Sequence, residues 1–454
     1  MLWVALCFPR LPLEARLRGL ASPDATGKAW AATENRLVLA CNAAAEAAGV
    51  RPGSTLAAAW VLAPQLRALP RAAAAEREAL EAIATWACQF TPRVSLAPPQ
   101  GVLLEVEGSL RLFGGVGPLM ALVRRGLARL GFEALLGAGA SARAALWLAR
   151  GAGESLDALP VEAIDAAPEA HALLRRIGIR TLGGLMRLPR AGVAARFGQR
   201  LLDDMDRALG KMPEARDFFI PPERFSARIE LPAPVREAER VLFAAHRLLL
   251  QLEGFLAARQ VGVRGFSLSL LHRGVPPTVI GIGFSTPRRD AEHGLRLLRE
   301  HLSALALAAA AEAVRLEAAA PVPLPGTTRE LLGDARPAAE DWERLTERLQ
   351  ARLGGERVHG LSLHADHRPE RAWRTEGMGD RVAAPAGPRP LWLLEPPRRL
   401  GEGDFALLAG PERIESGWWD GEDVVRDYFI ATRGPSLAWI YRAREGWFLH
   451  GLFA

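Results

Sequence analysis

Between Leu2 and Ala138, short apolar runs alternate with longer amphipathic stretches. That alternation restricts the N-terminal third to a sheet layered against helices. Leu2–Phe8 is an apolar run closed by Pro9 and Pro12, as a central strand entering a loop would be. Leu37–Ala40 reads as a second strand. Ala43–Ala48 reads as a helix stopped by Gly49 and the turn Arg51-Pro52-Gly53. Ser54 is placed to cap a helix over Leu56–Leu62, which must end before Pro64. Glu76–Phe90 is strongly amphipathic. Val94–Leu96 and Val102–Val106 are strand-like about a Pro98-Pro99 turn, Val116–Leu130 is helical, and Ala134–Ala138 is strand-like.

The pattern changes three times further on. Leu159–Met212 is wholly helical in short pieces, which sets a boundary near residue 155, and Pro213, Pro221 and Pro222 mark a linker. Residues 225–320 read as strands Phe225–Leu231, Gly262–Leu271, Val279–Phe284 and Val314–Glu317 with helices Val235–Ala258 and Asp290–Ala308. That βαββαβ order predicts a split sheet with helices on one face. Residues 318–336, rich in Pro, Gly and Thr, read as a linker. A helix over Asp341–Leu353 then leads into a segment rich in Trp, Pro and Gly. The predicted fold class is α+β and multidomain, and 454 residues suit about three or four domains.

The net charge of +6 and the pI near 9.9 favour anionic partners, nucleic acid among them, without requiring one. Cys7, Cys41 and Cys88 have no paired spacing, so neither a disulfide framework nor a zinc site is expected; buried thiols in a reducing cytoplasm are. No uninterrupted apolar run approaches the ~18 residues of a membrane span, and the start has no basic region before its apolar stretch. No membrane partner and no signal peptide are predicted.

The stretch EVEGSLRLFGG at Glu105–Gly115 resembles the palm signature of the Y-family, or lesion-bypass, DNA polymerases. The N-terminal strand, the GVRPG turn with its Ala-rich helix, the helices around GIRT and the βαββαβ region fall in that family's order. The resemblance covers roughly residues 1–320. It implies a palm-like region at 1–10 and 71–155, fingers at 11–70, a thumb at 156–220 and a little finger at 225–320. A linker at 321–340 and a C-terminal partner-binding region at 341–454 would follow.

Nucleotidyl transfer by that family needs two Mg²⁺ ions held by carboxylates. The resemblance implies an Asp at position 5, a further acid at 7 and an Asp-Glu pair at 100 and 101. This chain has Ala5, Cys7, Gln100 and Gly101. The Tyr and Arg that would hold a triphosphate are replaced by Ala43 and Glu46, and Glu46 would repel phosphate. The implied protein is a polymerase relative without catalysis, metal or other cofactor. The alternative is an active lesion-bypass polymerase with a rearranged site that uses Glu105 or Glu107. Glu105 lies on the other side of the signature from the missing pair, and no acid lies on the first strand.

DNA-gripping residues are expected in two places. Leu173–Leu185 reads as a helix-hairpin-helix. Gly178 and Ile179 tighten the turn, Thr181 caps the next helix, and backbone amides at that helix start face a phosphate. Arg175, Arg176 and Arg180 add charge, in contacts that position DNA without reading its sequence. Locally, a plain αα-turn with a solvated arginine face fits equally well; the thumb position favours DNA. In the little-finger-like region Arg259, Arg264 and Arg273, with Arg288 and Arg289, could track a backbone groove alongside Ser267 and Ser269. A charged, solvated edge strand is the other reading. A DNA-binding protein unrelated to polymerases, built on the hairpin alone, is the third hypothesis; a palm-like sheet would exclude it.

The phrases HADHRPERAW (His364–Trp373), RPLWLLEPP (Arg389–Pro397), RIESGWWDG (Arg413–Gly421) and WFLHGLFA (Trp447–Ala454) resemble the tail of the polymerase-like subunits of bacterial DNA-damage-induced mutasomes. That resemblance implies an SOS-induced scaffold for translesion synthesis, cytoplasmic and nucleoid-associated when engaged. Its partners would be primer-template DNA, an error-prone C-family polymerase, a RecA-like accessory subunit and the sliding clamp. Trp373, Trp392, Trp418 and Trp419 are the candidate partner anchors; a small β-rich domain that buries its tryptophans is the competing reading. Leu331 and Leu332 are the candidate clamp contacts, in a degenerate motif. His364, Asp366 and His367 lack a convincing further ligand for a metal.

Overall fold

The computed structural model describes residues 1–20, 27–303, 305–324, 337–354, 357–376, 388–401 and 403–453. They form two compact units, Met1–Arg352 and Leu353–Ala454.

The first unit opens with β1 (Trp3–Cys7) and α1 (Leu11–Leu17). Next come β2 (Trp30–Glu34), β3 (Leu37–Cys41), α2 (Ala43–Ala47), α3 (Leu56–Leu62), β4 (Arg67–Pro70) and α4 (Ala73–Ala87). Then follow β5 (Val94–Ala97), β6 (Gly101–Glu105), α5 (Leu110–Phe113), α6 (Val116–Leu130), β7 (Leu135–Gly139) and α7 (Ala142–Gly151). A four-stranded antiparallel sheet has the order β5-β6-β1-β7. β1 is buried along its whole length, which explains its unbroken apolar sequence. Val4 and Leu6 face the main core with α4 and α6; Trp3, Ala5 and Cys7 face α7. Gly137 and Gly139 let the backbone of α7 lie directly on β7, where a Cβ would strike Ala149 and Ala145. β3, β2 and β4 form a separate sheet in which β2 and β4 run parallel. Thr55 caps α3 by accepting from the amide of Ala58; the expected cap, Ser54, instead donates to the Arg51 carbonyl within the turn.

Four short helices follow: α8 (Pro168–Arg176), α9 (Leu182–Met186), α10 (Arg190–Phe197) and α11 (Gln199–Ala208). They surround a core of their own that also takes in Trp147 of α7. The predicted βαββαβ order is present as β8 (Ser226–Val235), α12 (Leu242–Arg259), β9 (Val261–His272), β10 (Thr278–Arg288), α13 (Ala291–Ser303) and β11 (Ala311–Ala318). The strand order is β10-β9-β11-β8, with β12 (Val322–Pro323) added to β9. Ala238–Arg259 is long and apolar enough to cross a membrane, but it is mostly buried within the unit. Its helix, α12, packs on α4 and α6, so the two sheets share one continuous core. Trp86 fills the space between Gly126 and Gly254, where any Cβ would overlap its ring.

One domain boundary differs from the sequence partition. Helix α14 (Pro337–Leu353), assigned there to the C-terminal region, packs against the βαββαβ module. The buried carboxylate of Glu347 accepts from the amide (2.8 Å) and hydroxyl (2.6 Å) of Ser285 and meets Nε2 of His293 at 2.5 Å. This polar anchor was invisible as a pattern, because a buried Glu reads as solvated.

The second unit is β-rich. β13 (Gly360–Leu363) pairs with β14 (Trp373–Glu376). β15 (Trp392–Leu400), β16 (Ala406–Ser416), β17 (Val424–Arg433), β18 (Ser436–Ala443) and β19 (Gly446–Leu452) form an antiparallel sheet ordered β15-β19-β18-β17-β16. Tyr428 and Trp439 stack at 4.2 Å within it.

Candidate functional site

The four positions where the resemblance implies metal-binding acids are neutral and lie together in space. Cys7 stands opposite Gly101 in the β1–β6 pair and Ala5 opposite Leu103; the amide of Phe8 donates to the carbonyl of Gln100 at 2.8 Å. Ala5 is fully buried, and Ala142, Ala145, Leu146 and Ala149 of α7 pack on the same face. A Cβ at Gly101 would come within 2.8 Å of the Ala97 carbonyl oxygen. Burial pushes the Cys7 thiol up, partly offset by the guanidinium of Arg150, which pairs with Asp165 at 2.5 Å.

Glu105 and Glu107 are engaged elsewhere. Glu105 is at the other end of β6, opposite Trp3; it accepts from Arg93 (3.1 Å) and from the amide of Glu107 (3.2 Å). Glu107 pairs with the N-terminal ammonium at 2.7 Å. Among the described residues no cluster of three His, Cys, Asp or Glu side chains is placed to hold a metal ion. At the triphosphate positions Ala43 is exposed at the start of α2. Glu46 is bridged by Arg10 at 2.8 Å, and Arg10 also reaches Glu133 at 2.9 Å.

The hairpin is present, with a correction to its chemistry. Gly178 takes φ +85° after α8, and the amides of Gly178 and Ile179 reach back to the carbonyls of Arg175 and Leu174, a Schellman closure. Thr181 caps α9 by accepting from Gly184, as predicted. The α9 amides expected to face a phosphate are already satisfied: Leu182 donates to Leu159 O (2.8 Å), Gly183 to Asp157 O (3.0 Å) and Gly184 to the Thr181 hydroxyl. The preceding loop closes over the helix start. Arg175, Arg176 and Arg180 are all exposed, with Arg175 partnered by Glu162 at 3.3 Å.

In the βαββαβ module Arg264 and Arg273 are exposed, Arg264 donating to Ser285 O at 3.3 Å. Arg264 is on β9, an interior strand between β10 and β11, so the edge-strand reading does not apply to it; Arg273 follows the end of that strand. Arg259 departs from expectation: it lies over the Phe255 ring at 3.9 Å and donates to the Pro222 carbonyl at 2.7 Å, as a latch between α12 and the preceding linker. Phe255 one helical turn earlier was the available signal. Two cations were overlooked. In register, Ser269, Arg315 and Arg228 form one row across β9, β11 and β8. Cross-strand partners share a face, so the arginines lie beside the serine singled out from sequence.

In the second unit Trp373, Trp392, Trp418 and Trp419 are 45%, 69%, 78% and 57% exposed, while Trp439 is buried. The buried Trp439 fits the reading of a β-rich domain that packs its own tryptophans, and the four candidate anchors lie at the surface. Arg368 fixes the loop that carries Trp418 and Trp419 by binding Asp366 (2.7 Å) and Asp420 (2.6 Å). That pairing holds the Asp366 carboxyl down at about 2, and His364 faces Arg374 at 2.8 Å, so neither is arranged as a metal ligand. A cavity of about 770 Å³ has Trp373, Leu393, Ile414 and Trp439 among its lining. Leu331 and Leu332 lie outside the described residues.

This is a multidomain α+β chain with a buried neutral face under α7, and its residues 16–150 match the impB/mucB/samB family. Over nearly its whole length it is similar to Protein ImuB of Caulobacter vibrioides: in two strains the identity is 29% over 456 residues, covering 89% of this chain and 100% of theirs. Similar solved structures include a Dbh ternary complex (15% identity, TM-score 0.41, 71% of this chain and 100% of that one) and DinB from Sulfolobus solfataricus (14%, 0.40, 72% and 100%).

Proposed function

We propose that this chain is a polymerase-shaped scaffold without polymerase chemistry. In this reading it grips primer-template DNA during SOS-induced mutagenic translesion synthesis and recruits an error-prone C-family polymerase. The observation that carries the reading is the buried neutral face of Ala5, Cys7 and Gly101 beneath α7. Magnesium needs carboxylate oxygens there, and this face offers methyl, thiol and backbone. The likeness to ImuB over 89% of the chain supports the mutagenesis setting. Exposed Arg175, Arg176, Arg180, Arg264 and Arg273 supply sequence-independent phosphate contacts. The exposed tryptophans of the second unit serve as anchors for the polymerase and a RecA-like subunit. Leu331 and Leu332 are the clamp contacts in this reading, which places the protein in the cytoplasm and on the nucleoid when engaged.

Primer extension with Mg²⁺ or Mn²⁺ tests the central point. No templated incorporation is expected from the purified full chain, while a gel-shift under the same conditions detects DNA binding. Templated incorporation that persists after active-polymerase contaminants are removed would overturn the proposal. Co-purification from damaged cells tests recruitment, with a C-family polymerase as the expected companion.

A further inference from the structure

Among the described residues, one buried cation has no ion-pair partner. Arg18, just past the end of α1, is 6% exposed, and among the described residues it makes no side-chain hydrogen bond or ion pair; its Nε is sealed and unpartnered. Its guanidinium rests over the Phe132 ring at 5.1 Å. The charge acting on it is a second cation, Arg247 of α12, whose guanidinium donates to the carbonyls of Arg18 and Leu20 and itself feels the carboxylate of Glu14. Burial, and then Arg247, push the Arg18 guanidinium well below its ordinary pKa. A buried cation beside another cation is costly unless something anionic compensates it.

Arg18 lines a cleft of about 760 Å³ between α1, α4, α12 and β8. The same cleft is lined by Gln251, one turn beyond Arg247, which is 3% exposed with its Nε2 unpartnered. Two nearly buried donor side chains from separate elements thus meet at one cavity, and Arg315 adds a further cation to its wall. Glu230 on that wall is held by Arg228 at 2.9 Å; Glu78 and Glu81 are exposed on α4. We propose that this cleft binds a small oxyanion, a phosphate- or carboxylate-bearing molecule, with Arg18 as principal donor and Gln251 as second. The anion reaches the guanidinium through the part of Arg18 that remains open, and a modest rotation of the Gln251 amide completes the site. The apolar wall that includes Ala15, Ala82 and Ile229 takes the organic body of the ligand. This site is separate from the hairpin arginines and does not depend on the scaffold reading.

The test uses the full chain and inorganic phosphate, titrated against chloride at constant ionic strength, with melting temperature and calorimetric affinity as readouts. Phosphate is expected to raise the wild-type melting temperature. Arg18→Met should weaken phosphate binding about tenfold and Gln251→Leu about threefold, as loss of a charged and a neutral hydrogen bond would. Arg18→Met should be no less stable than wild type without phosphate, since it removes an uncompensated charge. If Arg18→Met fails to fold, Gln251→Leu still reads the site. No phosphate effect on wild type overturns the proposal. So does an equal effect in all folded variants, which would place phosphate on the nucleic-acid-facing arginines. A short DNA duplex is the second probe: its binding should be unchanged by Gln251→Leu, and a loss matching that for phosphate would overturn the assignment to a small ligand.

Discussion

Trp86 and Gly254 are in direct contact: a methyl group at Gly254 would lie 2.5 Å from Cδ1 of the indole. One residue belongs to the helix behind the first sheet and the other to the long helix of the βαββαβ module, so the absence of a side chain at 254 lets two modules share a core. Gly254→Ala should therefore destabilise the first unit by about 1–3 kcal/mol, the usual cost of overpacking. Chemical denaturation of wild type and variant measures it; an unchanged midpoint would show that the seam can yield.

The neutral face beneath α7 leads to a second expectation. Ala5→Asp places a carboxylate at a fully buried position with alanines opposite. Burial without a partner costs several kcal/mol or forces protonation. Restoring acids at 5, 100 and 101 together should lower the melting temperature and leave primer extension absent. Templated synthesis by the triple variant would mean that only the acids had been missing.

Nucleic-acid binding should separate the arginines into two groups. Alanine at Arg175, Arg176, Arg180, Arg264 and Arg273 should weaken DNA affinity and flatten its salt dependence, because each lost phosphate contact reduces counterion release. Arg259→Ala should leave the salt slope alone and lower stability, since its guanidinium is spent on Phe255 and Pro222. Fluorescence anisotropy across a salt series separates the two effects.

The tryptophans of the second unit divide in the same way. If the proposed function holds, Trp418→Ala with Trp419→Ala should abolish co-purification of the proposed polymerase partner while changing stability little, given their exposure. Trp439→Ala removes a buried ring stacked on Tyr428 and should cost about 3–5 kcal/mol. Retention of the partner by the exposed pair's variant would move the contact elsewhere on the unit.

A pH dependence follows from His450, which is 1% exposed with Nδ1 at 2.7 Å from the Tyr428 hydroxyl. Burial holds its pKa well below the ordinary value, so the folded unit keeps it neutral. The unfolded chain then binds the extra proton first. Stability from this group is full above about pH 6.5, the ordinary histidine value, and is lost as pH falls toward the folded pKa. His450→Phe should flatten the acid limb of the second unit's melting profile between about pH 6.5 and pH 4.

Much of this architecture was legible because period and length agreed. Val116–Leu130 was read to the residue, and the βαββαβ order emerged from runs whose burial follows the alternation. Helix α1 was missed because Pro12 looked like a breaker, although proline is tolerated in a first helical turn. β2 and β4 were missed because their parallel pairing joins residues 37 positions apart, such as Trp30 and Arg67. Helix α7 was also missed, although Ser141 caps it and its amphipathic contrast is no weaker than that of α6. The hairpin turn could be read from Gly178 and Thr181. The fate of its amides could not, because the acceptors Asp157 and Leu159 come from a loop with no periodic signal.

The continuous core behind the first sheet bears on how a duplex would be held. Prising the βαββαβ module from the sheet would wet Trp86, Phe255 and the leucines around them, and Trp147 anchors α7 in the short-helix core in a comparable way. A body riveted at both joints makes a poor ratchet, since stepping along a template asks its parts to slide. Under the proposed function, such a body would suit clamping a DNA end in place better than travelling along it.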